Sequence, residues 1–391
     1  MTRPFIGYGR QTIDDSDIAA VVDVLKADLL TQGPVIERFE ESFAASVNAR
    51  HAIAVSNGTA ALHLACLAAG LSDGDCAIVP DMTFVATANA PLYCGARTLL
   101  TDIDPDSLGL QTGRVIGLVK ERPDVKAVLP VHFAGLAVDM PTLASIREDA
   151  VIIEDGCHAL GGTYEDGSPI GGCSYSHMTV FSFHPVKPIT TAEGGIVTTN
   201  ADDLAGKLRA LRSHGIERNP ESFVQADGGE ARPWYYEQQF LGFNYRMTEL
   251  QAALGLNQLP KLPGFLERRR RIAAFYDDRF RTLAHVALPQ SRPDQRARSG
   301  MHLYLLDIDF KKRNMQRGAF MQSLRDVGIG TQVHYIPVHR QPYHQRLLGG
   351  GDFEFPNAER HYQTTLSIPL FPSMSDAEVE YVAQQIIARL Q

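Results

Sequence analysis

Short apolar runs alternate with amphipathic stretches along the first two thirds of the chain. The runs HAIAV (51–55), AIVP (77–80), TLLTDID (98–104), KAVLPVHFAG (126–135), VIIED (151–155), TVFSF (179–183) and GIVTT (195–199) are each bounded by turn residues. Runs of this length and setting read as buried strands. Between them lie stretches with helical spacing. IAAVVDVLKAD (18–28) follows capping residues at 12–17, and a second amphipathic helix begins near Val35, after Gly33-Pro34. AALHLACLAAG (60–70) closes on Gly70, a further helix falls around 111–121, and ADDLAGKLRALRSHGI (201–216) ends at Gly215. Strand and helix in turn predict an α/β fold with a mostly parallel sheet covered on both faces.

The pattern changes after residue 216. Residues 217–233 are polar, with Gly228-Gly229 and Pro233, and read as a mobile surface loop near the mouth of a site. A helix starting at Thr248 runs on towards 283, and the arginines at 268–271 read as its solvated face. A linker-like stretch (289–300), a strand (301–309), a helix ended by Gly328 and a closing amphipathic helix (375–390) complete the chain. The expected division is a large domain over 1–255, with an N-terminal arm, and a smaller α+β domain over 256–391.

Composition narrows the setting. The chain has 391 residues, 44% hydrophobic and 21% charged, with a net charge of −8. That balance fits a soluble globular protein and speaks against a nucleic-acid or anionic-membrane partner. No apolar run is long enough for a membrane helix. The N-terminus does not read as a targeting signal. Five scattered cysteines suggest free thiols in a reducing cytoplasm, and Cys157 reads as a packing residue.

The chemistry concentrates in 151–200. Asp155 ends one apolar run, Lys187 lies just past another, and Gly194-Gly195 precede a third. Ligands of open α/β sheets sit outside the carboxyl ends of the strands, so Asp155 and Lys187 are expected in one crevice. A lysine and a carboxylate there suggest pyridoxal 5'-phosphate (PLP), which takes a lysine as a Schiff base and an acid at its pyridine nitrogen. His158 would touch the cofactor's phenolic oxygen or pack over its ring, and Ser182 would give its hydroxyl to the phosphate. The SNGT turn, with Gly58 and Thr59 opening a helix, is a phosphate cradle. The bland alternatives are a surface lysine before proline, an Asp-Gly turn, and a core phenylalanine at Phe84. Neither GxGxxG nor GxxxxGK[ST] occurs. His334, His339 and His344 lack a zinc spacing, and no metal is expected.

The segment FSFHPVKPITTAEGG (181–195) resembles the active-site lysine segment of the DegT/DnrJ/EryC1/StrS sugar aminotransferases. The wording KPITTAEGG resembles more narrowly the branch that serves pseudaminic acid biosynthesis. The resemblance spans nearly the whole chain and implies the aspartate-aminotransferase-like (type I) PLP fold. It implies that Lys187 is catalytic and that Phe84 lies on the pyridine face. It implies that Asn244, in LGFNYRM, reaches the cofactor phosphate of the neighbouring subunit of a homodimer. Tyr8, Leu30, Thr31, His334 and Tyr335 would line the sugar-nucleotide site. The implied reaction moves an amino group from glutamate, leaving 2-oxoglutarate, to C4 of a UDP-linked 4-keto-6-deoxy-N-acetyl hexose. Alternatives are another C3/C4 nucleotide-sugar aminotransferase, such as a perosamine-type synthase, or a non-catalytic PLP-binding regulator.

Overall fold

A computed structural model describes residues 4–146, 148–225, 232–349 and 354–391. Seven strands form its main sheet: β1 (His51–Val55), β2 (Cys76–Pro80), β3 (Arg97–Thr101), β4 (Val125–Val128), β5 (Val151–Asp155), β6 (Met178–Ser182) and β7 (Gly195–Thr199), in the order β1-β7-β6-β5-β4-β2-β3. β7 runs antiparallel to both its neighbours, and the other pairs are parallel. The carboxyl ends of β1, β5 and β6 therefore share one edge of the sheet. The reversed β7 brings its amino end to the same edge, where Gly195 pairs with both Val55 and Ser182.

Helices α1 (Asp15–Leu25), α2 (Pro34–Ser46), α3 (Gly58–Ala68), α4 (Val85–Tyr93), α5 (Thr112–Glu121), α6 (Met140–Leu143) and α7 (Asp202–Arg212) are interleaved with these strands. Successive residues of one strand enter opposite cores, as the two-residue period of a strand requires. Ile153, Val180 and Val197 join a cluster with Leu64 and Leu208. Ile152, Phe181 and Ile196 join another with Phe39 and Phe43. The strand expected over 126–135 stops at Val128. Pro130 has no N–H to give a ladder, and the chain turns into a 3-10 segment at Phe133–Gly135.

Beyond residue 215, β8 (Ile216–Glu217) pairs with β9 (Glu237–Gln238), so the loop expected over 217–233 has a hydrogen-bonded base. Its residues 226–231 lie outside those described. The single helix expected from Thr248 is two, α8 (Glu249–Gln258) and α9 (Leu262–Phe280), joined by a 3-10 turn at Leu259–Lys261. Next come β10 (Val286–Ala287), α10 (Pro293–Arg298), β11 (Tyr304–Ile308), α11 (Arg317–Arg325), α12 (Pro342–Leu348), α13 (Pro356–Thr364), β12 (Thr365–Ile368) and α14 (Asp376–Leu390). The short α10 lies where a linker was expected. Strands β10, β11 and β12 make a three-stranded antiparallel sheet. A third core cluster joins it to Ile272, Tyr276 and Phe280 of α9 and Val379 and Ile386 of α14.

The basic run at 268–271 is not a uniformly solvated face. Arg269 is 1% exposed, and its Nη1 donates to the carbonyl oxygens of His302 at 3.2 Å and Leu370 at 2.8 Å. It falls on the same stripe of α9 as Leu262, Leu266, Ile272 and Tyr276. Among the described residues, no helix is long and apolar enough to cross a membrane.

Candidate active site

A cavity of about 1180 Å³ opens at the shared strand edge. Asp155, the last residue of β5, enters it with both carboxylate oxygens engaged. Oδ2 accepts from Thr87 Oγ1 at 2.7 Å, and Oδ1 accepts from the Cys157 N–H at 3.1 Å. Thr83 Oγ1 lies 2.9 Å from Thr87 Oγ1. Since the Thr87 proton goes to Asp155, Thr83 is the donor of that pair. Asp155 is thus a fixed, largely buried acceptor aimed into the cavity.

Lys187 lines the same cavity, in the turn after β6, where its N–H donates to His184 O at 2.8 Å. Burial pulls its amine below the ordinary lysine pKa, against the opposing pull of Asp155. A neutral amine is the nucleophilic form. Burial pushes the Cys157 thiol well up, so that side chain is a protonated thiol and no rival nucleophile.

His158 stands beside this pair. Its Nδ1 accepts from the Ala134 N–H at 3.2 Å, which leaves the proton on Nε2. Nε2 is 3.1 Å from the Tyr335 hydroxyl. Burial, then the nearby Lys187, holds His158 well below the ordinary histidine pKa, so it is a neutral donor. Tyr335 is kept protonated by burial and by Asp155.

The phosphate end is built by α3. Asn57 caps the helix by accepting from the Ala60 N–H at 2.8 Å. The first N–H groups of a helix have no intrahelical acceptor and suit an anion. Close packing aims this end. A Cβ on Gly58 would stand 2.9 Å from Ser182 Cβ, and one on Gly195 would stand 2.5 Å from Asn57 O. Only glycines let β6, β7 and the cradle meet.

The remaining expected residues divide into two groups. Phe84 caps α4, is 56% exposed, and faces Tyr335 with ring centres 5.8 Å apart. Tyr8 reaches the cavity on the N-terminal arm, which pairs with Gly328 and Gly330, and its ring is 5.2 Å from His334. His334 is buried with Nδ1 2.8 Å from Ser367 Oγ. Gly58, Thr59, Phe84, Asp155, His158, Ser182, Lys187, Tyr8, His334 and Tyr335 all line one cavity. Leu30, Thr31 and Asn244 do not line it. Leu30 and Thr31 are held against the start of α8, and Asn244 is exposed on the segment bridging to Ser213. Sequence reasoning missed Asn57 and Thr87. The signal for Thr87 was its place four residues after Thr83, one helical turn away. It also missed the wall of His63, Tyr93, Phe243 and Tyr245. His339 and His344 go to Asp81 and Asn89 respectively.

A desolvated lysine, a buried carboxylate across from it and a helix N-terminus with room for a phosphate form the donor set that PLP requires. The residues present fit that group. The comparisons agree. The pattern of the DegT/DnrJ/EryC1/StrS aminotransferase family matches residues 11–387. The chain is 38% identical to the spore coat polysaccharide biosynthesis protein SpsC of Bacillus subtilis, over 98% of this chain and 96% of that one. It is 35% identical to a UDP-4-amino-4,6-dideoxy-N-acetyl-beta-L-altrosamine transaminase of Campylobacter jejuni, over 99% and 98%. Its fold is similar to Helicobacter pylori PseC, an aminotransferase involved in the biosynthesis of pseudoaminic acid, with a TM-score of 0.88, 29% identity and 99% of each chain covered. It is also similar to Spr1654 of Streptococcus pneumoniae in its PLP form, with a TM-score of 0.84, 27% identity and 100% of each chain covered. The chain belongs to the DegT/DnrJ/EryC1/StrS aminotransferase family and is a PLP-dependent aminotransferase.

Proposed function

We infer that this aminotransferase moves the amino group of glutamate to C4 of a UDP-linked 4-keto-6-deoxy-N-acetyl hexose. In the net reaction, amine and carbonyl oxygen exchange carbons, so 2-oxoglutarate and a 4-amino sugar leave and no oxidant is needed. Bound PLP supplies an electron sink. Lys187 Nζ, whose pKa burial draws below the ordinary lysine value, is the base that would move a proton at the carbon bearing nitrogen. Asp155, fixed by Thr87 and the Cys157 N–H, would hold a proton on the pyridine nitrogen. His158 Nε2–H and Ser182 Oγ would donate to the phenolic oxygen and the phosphate, and Phe84 would pack against the ring. Tyr8, His334 and Tyr335 meet the sugar. The observation that carries the reading is Lys187 and Asp155 lining one cavity, beside a helix N-terminus, with space in front for a sugar. The likeness to PseC and to the altrosamine transaminase supports the choice of UDP sugar.

One feature favours sites shared in a homodimer. Among the described residues, Lys187 is the sole lysine or arginine that lines the cavity. A diphosphate and a donor dicarboxylate need more positive charge than that. Asn244, Leu30 and Thr31, exposed outside their own cavity, are the groups we assign to the neighbouring subunit's site.

A second reading is transfer to C3 or C4 of another nucleotide sugar; identity to SpsC, named for spore coat polysaccharide biosynthesis, is slightly higher than identity to the altrosamine transaminase. The test is incubation with glutamate and candidate keto sugars, read by mass spectrometry. Amination of the UDP-N-acetyl sugar is expected. Amination of GDP-linked 4-keto-6-deoxymannose alone would leave only the family assignment standing.

A further inference from the structure

His302 lies just before β11, behind the cavity wall. It is 4% exposed and does not line the cavity. Its ring centre stands 4.4 Å from that of His158, tilted by 46°. Phe133 covers another side of His158 at 5.8 Å, and Tyr335 faces it at 6.1 Å. Among the described residues, His302 Nδ1 is buried without a hydrogen-bond partner. The ring is therefore placed by packing, while its backbone is bound tightly. The His302 carbonyl accepts from Arg269 at 3.2 Å, and the Leu303 carbonyl accepts from Gln290 at 2.9 Å. Just before it, a Cβ on Gly300 would stand 2.7 Å from Ala159 Cα. The segment is wedged against the turn that carries His158.

We propose that His302 is a positioning residue for the transamination, a rigid ring that fixes the plane of His158. The Ala134 N–H sets the His158 tautomer and the Tyr335 hydroxyl meets Nε2, while the faces of the ring are held by packing alone. The His302 face packs against the His158 ring and keeps Nε2–H on the cavity side, where the Tyr335 hydroxyl stands 3.1 Å away. Neutrality is part of the arrangement. Burial, then the nearness of Lys187, His158, Arg269 and His334, holds His302 well below the ordinary histidine pKa. The inference rests on the reading that His158 donates to the cofactor's phenolic oxygen.

The test is the pH titration of the visible absorbance of the lysine-linked cofactor, apart from any turnover assay. A hydrogen bond to the phenolate lowers the midpoint of that titration, so its loss raises it. His158→Phe, which keeps a ring but no donor, should raise the midpoint by about half a unit or more. His302→Leu should raise it in the same direction, and His302→Phe, which keeps the wall, should stay near the wild-type midpoint. The double variant His158→Phe/His302→Leu should match His158→Phe alone, because the two residues act through one contact. His302→Met replaces the leucine variant if that one does not fold. A wild-type midpoint in His302→Leu, an additive double variant, or an equal shift in His302→Phe overturns the proposal. An unmoved midpoint in His158→Phe removes the cofactor contact itself, and the proposal falls with it.

Discussion

Lys187 combines two demands that conflict in water. It must be neutral to attack and must sit beside a carboxylate. Burial wins over Asp155 and depresses its pKa. Replacing it with alanine should leave cofactor held by phosphate and Asp155 contacts, with turnover lowered by at least about 10³-fold, roughly 4 kcal/mol of barrier. The check is a yellow but non-covalent complex, borohydride-resistant, assayed for amination. Wild-type turnover in that variant would remove Lys187 from the mechanism. The same burial acts on five histidines, His344 among them. His158 and His302 lie well below the ordinary value, His334 is lowered to about 3 and His361 to about 4. Their unfolded forms take up protons below about pH 6.5 that the folded forms refuse, so stability falls as pH falls, by about 1.4 kcal/mol per unit for each. His339 is the opposite case. Burial disfavours its charge, but Asp81 and Glu359 hold its pKa up, so it stabilises the fold below its unfolded pKa and loses that effect as pH rises. Five groups outweigh one. Denaturant midpoints should drop markedly from about pH 7 to about pH 5, and His334→Asn should flatten that slope. An unchanged slope would refute the assignment.

At the scale of elements, the cradle depends on how β1, β6, β7 and α3 meet. The reversed β7 delivers Gly195 against Asn57 O, so a side chain there must push the N-terminus of α3 off the phosphate position. Gly195→Val should weaken PLP binding by about tenfold or more, roughly 1.4 kcal/mol. Gly113→Ala on α5, where an added Cβ meets nothing within 4 Å, should not. Titration of cofactor absorbance distinguishes them, and equal affinities would mean that the glycine is not required. Much of this edge was legible in the sequence. The apolar runs placed Asp155, Ser182 and Gly195 at strand ends, and the turn before α3 announced its anion site. What was not legible depended on contacts between distant segments. Thr87 is ordinary in sequence and acquires its role only because α4 brings it to Asp155, 68 positions away. Arg269 was misread because four consecutive arginines look solvated, whereas the helical period turns one of them onto the stripe of Leu266 and Ile272. There it supports carbonyls from two other segments. Arg269→Met should therefore cost about 3 kcal/mol or more through unsatisfied buried groups. Thermal unfolding reads that cost, and a loss no larger than for exposed Arg271→Met would show the contacts to be dispensable.

The whole molecule raises the question of what completes the cavity. Its walls hold ten of the thirteen residues expected at the site and leave out Leu30, Thr31 and Asn244. These three are neither scattered nor loose. The Leu30 carbonyl accepts from the Glu249 N–H, and Thr31 bridges to Thr248. The Asn244 segment is stitched on both sides, by His214 N to Phe243 O and by Ser56 N to Tyr245 O. Asn244 is thus presented on a rigid backbone, exposed, a few residues from the same helix start. Leu29 at 51% and Leu241 at 83% exposure add apolar surface nearby. A two-fold dimer would cover that surface and make both sites equivalent. If Asn244 serves the neighbouring cavity, Lys187→Ala and Asn244→Ala lesions can be separated by subunit exchange. In a mixed dimer one cavity carries both lesions and the other carries neither, so about a quarter of full activity is expected from a statistical mixture of two inactive homodimers. Native mass spectrometry would verify exchange, and amination would be measured before and after mixing. Recovery of activity places Asn244 in trans. If Asn244→Ala alone is inactive and verified exchange restores nothing, Asn244 acts within its own subunit and the shared site is refuted.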